Sequence, residues 1–367
     1  MTSRLEPTLS AQLDRIDRAQ AARESRAVLR DAHITLSHGS GGKATHTLID
    51  ALFLPAFANP ALDGFADSAL LSSNGPGSPR LAFTTDSYVV SPLFFPGGDI
   101  GTLAINGTIN DLAMSGARPI GLSLGLILEE GLEMDVLRRV VDSLAAASAS
   151  AGVPVVTGDT KVVQRGKADR LFINTSGVGL VGDDCDLAPR RIQTGDAVIV
   201  SGDMGDHGLA VMLAREALEL EADIRSDSAP LHRLVAIILA AAPATRLLKD
   251  PTRGGLATTL NEIARQTNLG ITIDEERVPV KREVRGACEI LGLDPLQIAN
   301  EGKLVAIVPP DQADRALTAM RADPLGAGSM IIGEITSEPP RMVVLRTPIG
   351  GSRVLDMLVG DALPRIC

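Results

Sequence analysis

The chain has 367 residues, 45% hydrophobic and 22% charged, which is long enough for two globular domains with substantial cores. A net charge of −10, 2% aromatic residues, no Trp and one Tyr argue against a broad nucleic-acid surface or a base-stacking platform. No run is long and apolar enough to span a bilayer, no signal peptide opens the chain, and three scattered cysteines suit neither a disulfide framework nor zinc, so a cytoplasmic chain with no membrane partner is expected.

Residues 1–33 mix both charges with sparse apolar positions and read as an extension without chemistry. The segment LSHGSGGKATHTLID follows, in which Gly39, Gly41 and Gly42 precede Lys43 and a helical pattern. Open backbone beside a lysine can hold a phosphate, although the Walker A spacing is absent and a glycine linker reads equally. His38 and His46 are too isolated to serve as ligands.

The stretch FTTDSYVVSPLFFPGGDIGTLAINGTINDLAMSGARP, residues 83–119, organises the first half. It places Asp86 at the end of a β-branched run, then a Pro-Gly-Gly turn and a small-residue helix closing on Asn110, Asp111 and Gly116. Carboxylates in apolar, glycine-rich surroundings are costly unless paired, hydrogen-bonded or metal-bound. Hard oxygens with open backbone suit Mg²⁺ carrying nucleotide phosphates; a strand-end turn and a backbone cap are the alternative.

PIGLSLGLIL reads as a buried strand, and residues 133–151 as a helix with Met134, Leu137, Val140, Val141 and Leu144 toward the core. Gly158-Asp159-Thr160-Lys161 then interrupts a strand, with Lys161 either a phosphate contact or a solvated loop lysine. A polar, Pro-containing stretch at 183–191 separates the domains.

In the second half, the glycines at 202–208 do not match a dinucleotide fingerprint and read as fold punctuation. Asp250 stands just before a Pro-Thr-Arg-Gly-Gly turn that opens a helix, and Asn300-Glu301-Gly302 precedes a strand where a turn could aim Glu301 inward. Strands alternate with helices to about residue 347, indicating α/β (α+β) domains. The last 18 residues, GGSRVLDMLVGDALPRIC, break this pattern. Two glycines open a linker and Pro364 discourages helix. Cys367 on such an arm can be a carried nucleophile, or an accident of sequence.

The motifs SHGSGGK, FTTDSYVVSPLFFPGGDIG, GTINDLAMSGA, GDTKVV, DPTRGG, NEGK and PRIC together resemble the HypE carbamoyl dehydratases of nickel–iron hydrogenase maturation. These are relatives of aminoimidazole ribonucleotide synthetase, selenophosphate synthetase and thiamine-monophosphate kinase. The resemblance covers residues 34–367, and the long N-terminal extension departs from it. It implies a two-domain aminoimidazole ribonucleotide synthetase-like fold with a flexible C-terminal tail. Its parts are an ATP-binding and dimerisation domain (34–190), a C-terminal α/β domain (191–349) and a tail (350–367) carrying a substrate cysteine.

By resemblance, Asp86, Asp111 and Asp250 take Mg²⁺. Gly41, Gly42 and Lys43 cover the phosphates of ATP, while Asn110, Asp159 and Thr160 line the nucleotide site. Lys161 and Glu301 flank the modified thiol, with Glu301 the base. Cys367 receives a carbamoyl group from the carbamoyltransferase HypF, and ATP-dependent dehydration turns it into a thiocyanate whose cyanide passes to a HypC–HypD complex. A homodimer is implied. A small-molecule kinase or synthetase of the superfamily would share the acids without needing Cys367, and a nucleotide-sensing scaffold would bind ATP without releasing phosphate.

Overall fold

The computed structural model describes residue 29 and residues 31–57, 59–62, 67–71, 80–215, 223–357 and 365–367. Most of the expected N-terminal extension and, in the tail, residues 358–364 with Pro364 lie outside the described residues. A helix α1 (Lys43–Leu48) follows the glycine segment and leads into a short α2 (Leu54–Phe57).

The first sheet has five strands in the order β1-β2-β7-β5-β6: β1 (Ala69–Leu71), β2 (Arg80–Tyr88), β5 (Arg118–Glu129), β6 (Val155–Val163) and β7 (Leu171–Val181). All its pairings are antiparallel except that of β5 with β6. A small hairpin of β3 (Phe94–Phe95) and β4 (Gly98–Asp99) is turned by Pro96-Gly97, where Gly97 has φ 89°. It delivers the chain to α3 (Ile100–Met114). Asp99 caps α3 by accepting from the Gly101 and Thr102 amides, while Thr102 bonds back to the Asp99 amide. This acid is therefore committed to a helix end.

Helix α3 packs across β2, β7 and β5 and is buried almost all round. Its small residues allow that approach: a Cβ on Gly107 would lie 2.3 Å from the Tyr88 hydroxyl. Helix α4 (Met134–Ala151) packs against α3. The expected core face of α4 is narrower than its periodicity suggested: Val140 and Leu144 are buried, but Met134 and Val141 are exposed. No interruption occurs at Gly158 either. β6 runs straight through it in register with β5, and a Cβ there would meet the Leu124 carbonyl at 2.5 Å.

The second sheet has the order β14-β13-β10-β12-β8-β11-β9. Its strands are β8 (Ala197–Val200), β9 (Leu247–Lys249), β10 (Gly270–Asp274), β11 (Val305–Val308), β12 (Met330–Thr336), β13 (Val343–Arg346) and β14 (Ser352–Val354). Its helices are α5 (Asp206–Leu213), α6 (His232–Ala241), α7 (Gly255–Thr267), α8 (Arg282–Leu291) and α9 (Pro310–Arg321). The continuous apolar runs of β8 and β11 are buried on both faces because α7 packs on one side and α6 with α9 on the other.

The two halves share apolar clusters. Ala113 and Met114 of α3 join the core of α6 and α9, and Leu209 of α5 and Val284 of α8 join that of the first sheet. Among the described residues no helix is long and apolar enough to cross a membrane.

Candidate active site

The domain boundary is drawn together around α3. Asn110 donates to the carbonyls of Ala229 and Glu301 at 3.1 and 3.2 Å, and its side-chain oxygen accepts from the Leu231 amide at 2.8 Å. Expected at the nucleotide, this buried amide is instead committed to three backbone groups of the second domain, because the interface leaves those groups no water. It frames the site.

At the next residue, Asp111 accepts from the Thr84 hydroxyl of β2 at 2.7 Å, and Thr84 in turn reaches the main-chain oxygen of Asp67 at 2.9 Å. Burial first, then Asp250, Asp86 and Asp67, push the Asp111 carboxyl well above the usual range. Asp250 is pushed up to about 7 by burial and by Asp67. Burial also raises Asp67, against the pull of Lys249, which donates to it at 2.6 Å. Lys249 further reaches Glu262 at 3.2 Å, and Glu262 meets His46 of α1 at 2.9 Å.

Four carboxylates thus act on one another, Asp67 among them. Sequence reasoning passed over Asp67; its one signal is an acid one residue before the short apolar run Ala69-Leu70-Leu71.

Among the described residues no three His, Cys, Asp or Glu side chains close on one point as a metal cage. The set Asp86, Asp111 and Asp250 is a concentration of hard oxygen donors short of positive charge. That composition fits a divalent cation arriving with phosphate oxygens of its own.

Glu301 is buried in its turn, with its amide donating to Asp227 at 3.0 Å. Burial, Asp250, Asp86 and Asp227 raise its carboxyl well above the ordinary value, and Arg253 pulls the other way. Arg253, overlooked within its turn, is the common neighbour of the site. The charge of Cys367 first, and Asp86 and Glu301 after burial, bear on its guanidinium. The turn is pinned by Asn300, whose amide and side chain both donate to the Pro251 carbonyl at 3.0 Å. Gly41 (φ 74°) lies on this turn so closely that a Cβ would come within 2.6 Å of the Arg253 Cβ. The glycine segment with Gly42 therefore covers the Asp250–Arg253 side of the site.

Two expected groups are placed elsewhere in this chain. Lys43 pairs with Asp356 at 2.7 Å, both nearly half exposed. Lys161, expected beside Glu301, lies on β6 with Thr160 and pairs with Asp159 at 3.0 Å, with both side chains of the pair about 70% exposed. The reason is topological. β6 is the sheet edge, three strand spacings from Asp86 on β2, or about 14 Å.

The end of the tail does reach the site. The Val89 amide donates to the main-chain oxygen of Cys367 at 3.0 Å, one residue beyond β2.

This fold and constellation define a class. The chain belongs to the AIR synthase related proteins, matching the N-terminal domain model over residues 66–181 and the C-terminal domain model over residues 193–344. Within that class it belongs to the HypE carbamoyl dehydratases. It is 55% identical to carbamoyl dehydratase HypE of Rhizobium leguminosarum bv. viciae over 338 residues, 92% of this chain and 96% of the relative. A crystal structure of hydrogenase maturation protein HypE in complex with ATP superposes with TM-score 0.76 at 50% identity, covering 91% of this chain and all of that one. HypE in a HypE–HypF complex superposes with TM-score 0.80 at 44% identity, covering 85% and 99% of the two chains.

Proposed function

We propose that this chain dehydrates an S-carbamoyl group on Cys367 to a thiocyanate at the expense of ATP, supplying the cyanide ligand of a hydrogenase iron. The observation that carries this reading is the joint action of Cys367, Asp86 and Glu301 on the single guanidinium of Arg253. The terminal residue, a buried carboxyl and an acid of the phosphate side all bear on one guanidinium.

In the first half-reaction the carbamoyl oxygen attacks the γ-phosphorus of ATP, ADP departs and one N–H proton is lost. In the second, the remaining N–H proton leaves as the C–O bond breaks and phosphate departs, giving S–C≡N. Glu301 takes that second proton: burial, Asp250 and Asp86 raise its carboxyl above the ordinary value, which favours its holding a proton once taken. Asp67, Asp86, Asp111 and Asp250 would hold Mg²⁺, which when bound neutralises charge on the phosphates. Gly41 and Gly42 present open backbone above them.

The carbamoyl donor in this reading is a HypF-type carbamoyltransferase and the cyanide acceptor a HypC–HypD-type complex, in the cytoplasm. A homodimer completes it. Phe83, Ile127 and Val156 on the first sheet are exposed apolar residues that a second copy would cover. Lys161, Asp159 and Thr160, remote from Asp86 within one chain, act in this reading where the β6 edge meets a second copy.

Intact-mass measurement tests the proposal. Incubation with the carbamoyl donor should add about 43 Da, and ATP should then remove about 18 Da, by the composition of the groups formed on a thiol. Cys367→Ala should bind ATP and show neither change. Modification mapping to Cys185 or Cys288 would overturn the reading in favour of a small-molecule enzyme.

A further inference from the structure

We propose that Asp227 is a positioning residue for the dehydration: its buried carboxylate, with the loop around it, holds the turn that carries Glu301. The inference rests on the dehydratase reading for what Glu301 does, while the evidence for the clamp is separate. No motif marks Asp227 in the sequence, which sets it in the polar run Arg225-Ser226-Asp227-Ser228. Its side chain is nonetheless 2% exposed. One oxygen accepts from the Glu301 amide at 3.0 Å, and the other lies 3.4 Å from the Lys303 ammonium, itself mostly buried. A single carboxylate therefore ties down both sides of Glu301-Gly302-Lys303.

The rest of the turn is held as closely. The Glu301 carbonyl accepts from Asn110 of α3 at 3.2 Å, so the base residue has both of its backbone polar groups engaged. Gly302 lies directly on the loop: a Cβ there would stand 1.8 Å from the Asp227 carbonyl oxygen and 2.9 Å from the Ala229 nitrogen, so only glycine allows the approach.

The loop in turn is built on the first domain. The Ser226 amide donates to the Pro96 carbonyl of the β3–β4 turn at 2.8 Å, and Asn106 of α3 donates to the Ser228 hydroxyl at 3.1 Å. Asn110 joins it at Ala229 and Leu231. The rigidity of α3 is thereby passed through Asp227 to the Glu301 turn, leaving Glu301 its side-chain torsions alone. A base must stand within hydrogen-bond reach of the proton it takes, and small misplacements are costly in rate. A buried ion pair such as Asp227 with Lys303 adds little stability over neutral groups. What the carboxylate supplies is a stronger acceptor for the Glu301 amide than a neutral oxygen would be.

The test pairs a structural readout with a kinetic one, both on the full chain. Hydrogen exchange of the Glu301 amide in the nucleotide-free protein should quicken about tenfold in Asp227→Ala, the effect of losing one hydrogen bond. Asp227→Asn, which keeps a side-chain oxygen, should recover most of the protection. On the carbamoylated chain at saturating ATP, dehydration should slow about tenfold in Asp227→Ala and be largely rescued in Asp227→Asn. The half-saturating ATP concentration should stay within about twofold of wild type, since the clamp acts on the base and not on the phosphates. A residue serving the fold alone would lower the melting temperature without that split.

If Asp227→Ala does not fold because Lys303 is left buried and unpaired, the pair Asp227→Ala/Lys303→Met and Asp227→Asn/Lys303→Met is compared by the same two rates. Unchanged Glu301 exchange in the folded alanine variant, or dehydration at the wild-type rate, would overturn the proposal. The readings fail separately. Lost dehydration in Glu301→Gln with both rates unchanged in Asp227→Ala would keep the base and remove the clamp. A wild-type chain that does not dehydrate its carbamoyl group would refute the activity, and the exchange rates would then decide the clamp by themselves.

Discussion

Lys249 of the second sheet donates to Asp67 at the edge of the first across 2.6 Å, and the same ammonium holds Glu262 at 3.2 Å. Burial alone would lower its pKa, but Asp67 and Glu262 raise it instead. One buried cation therefore fastens two carboxylates from different domains, and through Glu262 and His46 it fastens the helix that follows the glycine segment.

Replacing this cation leaves Asp67 without its ion pair and Glu262 with His46 alone. Lys249→Met should cost about 3–5 kcal/mol, the range for breaking a buried pair on one side. The measurement is denaturant unfolding of the nucleotide-free chain. A loss below about 1 kcal/mol would show that water already reaches the acids.

The acid cluster gives the opposite sign. Asp111→Asn keeps an acceptor for Thr84 while removing a charge that Asp250, Asp86 and Asp67 oppose, so the nucleotide-free chain should melt at a higher temperature. Asp111→Asn and Asp86→Asn should each weaken Mg·ATP binding at least about tenfold, or about 1.4 kcal/mol. Unchanged affinity by calorimetry would remove that residue from the phosphate side.

Asp250 sets a pH dependence. Its folded pKa of about 7 lies above the unfolded value of about 3.9, so the folded state binds the proton more tightly. The contribution to stability is full below about pH 4 and is lost as pH rises through about 7. Between pH 5 and 8 the nucleotide-free wild type should lose stability relative to Asp250→Asn. Parallel stability curves for the two would contradict the assignment.

Glu301→Gln preserves size and hydrogen bonding but cannot take a proton. ATP binding should persist while thiocyanate formation falls about 10²–10⁴-fold. Wild-type turnover should rise with pH as the elevated carboxyl ionises, and this limb should vanish in the variant. Near-normal turnover in Glu301→Gln would pass the role to another group, with Lys161 the first to test.

The exposed β6 edge carries the assembly prediction. Val156 is 67% exposed, and if the proposed homodimer forms there, Val156→Glu should shift it toward monomer in sedimentation experiments without lowering the melting temperature of the monomer. If Lys161 acts across that interface, dehydration should fall in step with dimer content. Full activity in a monomeric variant would exclude that arrangement.

The sequence by itself determined the alternation of strands and helices, the helix opening after Pro251-Thr252-Arg253, the acids worth watching at 86, 111 and 250, and a cysteine set apart from both domains. Those features are local: apolar periodicity, glycine where φ is positive, and carboxylates set in apolar runs. Tertiary structure decided the rest, because burial and charge depend on what another part of the chain brings. Only packing turned Asn110 into a frame between domains, added Asp67 to the acid cluster, set Lys161 on an open edge away from Glu301, and gave the Glu301 amide the carboxylate of Asp227 as its acceptor. No spacing encodes these relations. They join residues dozens to more than a hundred positions apart, and the desolvation that gives each its chemistry exists only once both domains and the tail's end are in place.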